Sequence, residues 1–313
     1  MEKKIGKSKD FKIALLFIIL PTVMLIFGYL FFPYLYLDIT KNLILIPLFL
    51  GLVILFTGFL YKKIGLSNKL KILGWLIFAF YWSTQTLHLY YSEGEDYFNA
   101  IMCIIGVFVL CYLAYHEWLS LNRKEKNDSL NWIAGASAIA GIIYFTVEKS
   151  YLAEWLIETV AAQSAWTHNF LIGDTVLKNN IEIYYKDIYT VTIIFACTAI
   201  QAMVVFVGMI SVIPKVEFKR KILGLIITLI PIYILNLLRN AMVVFLVGND
   251  ITDFFMAHNV ISKIGALITL IVLLLFLIKI IPEILDEIIK LSDLYKRNGP
   301  LEKFVKKYIW KSK

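Results

Sequence analysis

Three side chains able to do covalent or acid–base chemistry lie in apolar stretches of the second half of the chain: Cys197 in FACTAIQAM, Arg239 in ILNLLRNAMVVFL and His258 in DFFMAHNVISK. A thiol becomes a good nucleophile only as the thiolate, which a nearby cation or base makes accessible. His258 could accept that proton and return it to a leaving amine. Arg239 could stabilise the thiolate or the oxyanion of a tetrahedral intermediate, an effect that grows where water is excluded. Acyl transfer is the reaction class that uses all three. Polar neighbours accompany each one: Thr198 and, at i+4, Gln201 beside Cys197; Asn236 and Asn240 beside Arg239; Asn259 beside His258. Taken singly each has a bland reading, as a small apolar packer, a structural arginine or an interfacial ring. An arginine within a bilayer costs at least about 2.5–3.5 kcal/mol, which favours a task for it.

The elements that must position these groups are membrane spans. Of 313 residues 60% are apolar and 17% charged, with a mean hydropathy of +0.76, a composition that excludes an ordinary soluble domain. Crossing the hydrocarbon core takes roughly 20 mostly apolar residues, and such runs occur at 12–32, 42–61, 70–91, 97–119, 131–148, 190–213, 222–247 and 257–281. The expected fold is therefore an all-α polytopic membrane protein of about eight transmembrane helices. On that count Cys197 and Arg239 lie about seven and eight residues below the outer surface, about 10–12 Å at the helical rise.

Charge placement orients the chain. The net charge is +8, but the basic residues collect at 3–12, 62–71, 123–126, 215–221 and 279–313. The alternate segments are acidic, as at Glu93–Asp96 and Asp250–Asp253. This is the positive-inside pattern. It predicts a multi-pass protein of the cell membrane with both termini cytoplasmic and the reactive trio near the extracytoplasmic side. The basic excess sets topology, and nothing in the sequence suggests nucleic acid as a partner. The first apolar run is too long for a typical signal peptide and is read as an anchor. Cys103 and Cys111 lie in another apolar run without polar company and are read as packing. The three cysteines show no metal-binding spacing, so no metal or cofactor is expected.

The whole chain, 1–313, reads as one membrane domain. Residues 1–11 form a basic cytoplasmic tail. Residues 282–313 form an amphipathic basic tail along the inner membrane surface. Residues 149–189 form the one substantial outer loop, in which two β-favouring runs flank Asn179-Asn180 and predict a small hairpin before the sixth helix. His88 and His116 near span ends are read as interfacial rings. Two rival functions remain. A transporter or channel could use Arg239 and His258 in a solute or proton path, although no repeated halves are visible. A membrane acyl- or glycosyltransferase could use Asp250 and Asp253 near His258.

At the reactive positions the sequence resembles the archaeosortase/exosortase family, marked by an Ala-Cys-(Ser/Thr)-small motif, a later Arg-Asn pair and a third basic residue near the start of the last helix. Here these stand as Ala196-Cys197-Thr198-Ala199, Leu238-Arg239-Asn240 and Ala257-His258-Asn259. Ala199 occupies a place where many members have Gly, and His258 one where Arg also occurs. The resemblance implies a membrane cysteine transpeptidase with Cys197 as nucleophile, Arg239 as oxyanion or thiolate partner and His258 as acid/base. It implies surface or secreted protein substrates carrying a C-terminal sorting signal: a short motif, a transmembrane helix and a basic cluster. The implied route is cleavage through a thioester and transfer of the new C-terminus to an acceptor, a membrane lipid amine.

Overall fold

The computed structural model describes residues 2–32, 38–92 and 97–308; the expected acidic loop 93–96 and the last residues of the basic tail lie outside them. The chain folds as α1 (Glu2–Phe31), α2 (Asp38–Leu60), α3 (Ile64–Ser92), α4 (Tyr97–Arg123), α5 (Asp128–Glu148) and α6 (Tyr151–Leu171). Three strands follow, β1 (Thr175–Lys178), β2 (Glu182–Tyr185) and β3 (Ile188–Thr192). A 3-10 turn at Phe195–Thr198 leads to α7 (Ile200–Val212) and α8 (Phe218–Gly248). A π turn at Met256–Ile261 then opens α9 (Ser262–Ile280), and α10 (Glu283–Ser292) and α11 (Pro300–Tyr308) close the chain. It divides into two compact units, residues 1–138 with 286–313, and residues 139–285.

In the first unit α3 packs against α1, α2 and α4. A Cβ on Gly74 would come within 2.8 Å of the Leu55 backbone, so α2 and α3 approach at a distance only a glycine permits. Two polar knots are buried here. Lys71 Nζ meets Glu117 Oε1 at 2.9 Å, and Asn68 donates to Glu117 Oε2 at 2.6 Å. Glu302 of α11 accepts from the Tyr115 hydroxyl at 2.8 Å and lies 3.3 Å from Nε2 of the fully buried His116. Arg297 donates to the His116 carbonyl and to Ser120, and pairs with Glu125. The basic tail is thus helical as expected, and it is also pinned to α4. His116 is a core residue held by the tail, not an interfacial ring. Burial raises the Glu302 pKa, but the donors His116 and Tyr115 more than offset it and hold the carboxyl below its usual range.

The second unit is built around the sheet. Its order is β1-β2-β3, antiparallel throughout, with Thr175 opposite Tyr185 and Lys178 opposite Glu182. Asn179 and Asn180 both take positive φ, 48° and 62°, as the sequence led us to expect of that pair. The second hairpin turns at Lys186 and Asp187, also both positive, and adds a strand the sequence reading did not anticipate. Ile183, Tyr185 and Val191 pack with Val160, Ala161, Val243, Val244 and Cys197 in one core.

Six helices are long and apolar enough to cross a membrane among the described residues: Asp10–Phe31, Leu43–Leu60, Tyr97–Arg123, Asp128–Glu148, Phe218–Gly248 and Met256–Ile280. They correspond to six of the eight expected spans, so the count of eight is not borne out. Run 70–91 lies in the long helix α3, which buries Ser83, Thr84 and Gln85 and is correspondingly more polar. Run 190–213 is not one helix. Its β-branched start, Thr190 to Ile194, completes β3 and the link after it, and only the 13 residues of α7 are α-helical. Hydropathy alone cannot distinguish a buried strand from a helix over so short a run. The expected outer loop is likewise largely helical, since α6 occupies 151–171. It starts at Ser150, whose hydroxyl accepts from the Leu152 amide at 3.3 Å, an N-cap arrangement.

Candidate active site

Cys197 lies in the 3-10 turn, buried with 6% of its surface exposed. The turn ends at Ala199, whose φ of 64° and ψ of 0° put it in the left-handed region and make it the N-cap of α7. A non-glycine residue pays for that conformation in sterics. The break places Cys197 two residues before a helix N-terminus, where the helix dipole favours a thiolate. The turn also presents the Cys197 carbonyl to the neighbouring helix. Asn236 Nδ2 donates to it at 2.8 Å and Asn240 Nδ2 at 3.2 Å. Asn240 also donates to the Ser164 hydroxyl at 3.1 Å. The asparagines are four residues apart on one face of α8, and between them in sequence stands Arg239. Its guanidinium donates to Asn240 Oδ1 at 3.3 Å and lies within electrostatic reach of Cys197. Arg239 Nε is buried without a hydrogen-bond partner among the described residues.

The remaining predicted residues divide. Thr198 is buried, and its hydroxyl donates back to the Phe195 carbonyl at 2.7 Å, closing the turn. Gln201 is exposed. The i+4 relation to Cys197 assumed a continuous helix, and the left-handed Ala199 breaks it. The depth estimated for Cys197 from helical rise falls for the same reason. His258 sits in the π turn with its ring stacked on Phe254, centroids 5.1 Å apart and planes at 7°. Its neighbour Ala257 is fully buried in the core that contains Cys197. Asn259 keeps a buried Oδ1 without a partner among the described residues. Turns of this wide type are frequent at functional sites.

The sequence reading missed the part played by α6. Gln163 accepts from the Tyr233 hydroxyl of α8, and Ser164 meets Asn240. The signal was present in Val160, Ala161, Ser164, Ala165 and His168, a buried stripe at helical spacing. His168 packs its ring edge-on to Tyr185 at 4.8 Å. Burial pushes its imidazole down from the usual range, against smaller opposing effects of the Gly173 backbone and Asp174. Among the described residues no group of three or more His, Cys, Asp or Glu could hold a metal.

The family model described as transmembrane exosortase (Exosortase_EpsH) matches residues 49–278, a stretch that contains Cys197, Arg239 and His258. The chain belongs to the transmembrane exosortase family. Two curated proteins extend the likeness. Archaeosortase A of Haloferax volcanii is 24% identical over 261 residues, covering 71% of this exosortase-family chain and 84% of that protein. Archaeosortase A of Natronomonas pharaonis is 26% identical over 256 residues, covering 70% and 78%. No solved structure matches.

Proposed function

We propose that this exosortase-family protein is a membrane-embedded cysteine transpeptidase. It cleaves a C-terminal sorting signal from surface proteins and passes the new C-terminus to a membrane lipid amine. The whole chain acts as one membrane domain, with both termini cytoplasmic and the site toward the extracytoplasmic side. Cys197 is the nucleophile. Its thiolate attacks the scissile carbonyl, and Arg239 stabilises the oxyanion. The C–N bond breaks, and the leaving amine takes a proton from His258, giving a thioester. The acceptor amine then attacks the thioester and gives a proton to His258, an amide forms, and the thiolate departs.

The observation that carries this reading is the grip of Asn236 and Asn240 on the Cys197 carbonyl. It holds the thiol-bearing turn against the helix face that bears Arg239. Such second contacts keep a reacting group within the fraction of an ångström that catalysis needs. The test is processing of a reporter that ends in a short motif, one apolar helix and a basic tail. Cys197→Ala should abolish it, while Cys103→Ala and Cys111→Ala should process normally. Mass spectrometry of a slow substrate should find the thioester on Cys197. Undiminished processing by Cys197→Ala would falsify the nucleophile assignment.

A further inference from the structure

A cavity of about 210 Å³ lies among α7, α8 and α9. Its polar lining includes Arg239 and Ser262, and two donors there have no hydrogen-bond partner among the described residues: Arg239 Nε and the hydroxyl of Ser262, which is 1% exposed. The π turn sets the position of Ser262, whose amide bonds the Ala257 carbonyl five residues back. No carboxylate lines the cavity. Two unengaged donors, one cationic, with no acid to answer them call for an anionic, oxygen-rich group.

Apart from Asn236 and Thr269 the rest of the lining is apolar, and the cavity is elongated. On α8 its lining runs from Ile232 to Met242 and on α9 from Ser262 to Leu270, about 15 Å and 12 Å at the helical rise. The volume holds about seven groups the size of a water or a methylene, at about 30 Å³ each. A stretch of hydrocarbon chain fits that shape. A transmembrane helix, about 10 Å across with its side chains, does not.

We infer that this cavity is a phospholipid seat, with the lipid phosphate on Arg239 Nε and the Ser262 hydroxyl, the terminal N–H groups of Arg239 being left for the oxyanion, and with a stretch of hydrocarbon chain running between α8 and α9. On the reading of the preceding subsection, which this assignment of role rests on, the lipid so held is the acceptor, and its amine is delivered beside Cys197.

The test uses full-length Cys197→Ala protein in detergent, so that binding is read apart from thiol chemistry. Phosphatidylethanolamine, diacylglycerol with the same chains and inorganic phosphate are added separately, and retention is followed by native mass spectrometry with thermal unfolding alongside. Phosphatidylethanolamine alone should be retained and should raise the melting temperature. Ser262→Ala should weaken retention about tenfold, the usual scale for one hydrogen bond to a charged group. A Cβ on Gly265, in the cavity wall, would meet nothing within 4 Å. Gly265→Leu should therefore occupy about half of the cavity and abolish retention without lowering the melting temperature of the lipid-free protein. Equal retention of diacylglycerol, saturation by phosphate alone, displacement by a synthetic transmembrane helix, or retention surviving both variants overturns the seat. If the seat holds but no thioester forms on the wild-type protein, the cysteine mechanism is what fails.

Discussion

In the first unit Lys71 meets Glu117 at 2.9 Å, Asn68 completes the same carboxylate, and Glu302 is held by Tyr115 and His116. In the second unit Arg239 meets no carboxylate among the described residues and keeps Nε without a partner, while Ser262 and Asn259 keep buried polar atoms unengaged. Both arrangements bury charge, and burial is costly in each. In the first the charges are answered inside the fold, although Trp75 Nε1 and Glu287 Oε2 lack a hydrogen-bond partner among the described residues, and the paired groups fix how α3, α4 and α11 pack. In the second the compensation is incomplete, as expected where a ligand or a transition state must supply the missing partner.

The largest effect that separates the two comes from removing one member of each. Glu117→Ala leaves Lys71 buried and unpaired and should cost about 3–5 kcal/mol of stability, read as a large fall in melting temperature in detergent. Arg239→Met should leave the melting temperature unchanged or higher and lower processing by at least about a hundredfold. A large stability loss in Arg239→Met with normal activity per folded molecule would erase the distinction.

A second, smaller effect sharpens the comparison through pH. Burial depresses the His168 pKa below its unfolded value, so the unfolded chain binds more protons as pH falls. The stabilisation is full above the unfolded pKa, about 6.5, and is lost as pH falls from there toward the folded pKa. His168→Phe keeps a ring against Tyr185 and should flatten the stability profile of the protein below about pH 6.5. An unchanged slope would assign it to other groups.

The smallest effect is expected at Ala199. Its φ of 64° costs an alanine about 1 kcal/mol relative to glycine. Ala199→Gly should stabilise the protein by up to that amount, offset in part by the greater freedom of glycine in the unfolded chain. Destabilisation would mean that the alanine methyl makes packing contacts worth more than the strain.

The sequence was legible where a one-dimensional signal carries the physics. Six apolar runs, long enough to satisfy every backbone group internally, are helices because lipid offers no other partner. Asn179-Asn180 marked a turn because its residue types tolerate positive φ. Cys197, Arg239 and His258 were conspicuous because reactive or costly groups interrupted apolar stretches. Legibility failed where the same composition serves two structures. Residues 190–213 are as apolar as a span, yet their β-branched start pairs with β2, and the sheet's hydrogen bonds, not hydropathy, decide that. Counting along a continuous helix puts Gln201 on the face of Cys197, but the left-handed Ala199 interrupts that helix.

By itself, then, the amino-acid order determined that this chain belongs in a membrane, marked six of its long apolar helices, and singled out the side chains that are candidates for acyl transfer. Tertiary structure alone decided that α6 enters the site through Ser164, that two asparagines hold the Cys197 carbonyl, and that Arg239 and Ser262 share a cavity. Those pairings join residues 20 to 80 positions apart. No local periodicity encodes which partner a buried donor finds, because that is settled only when the helices pack.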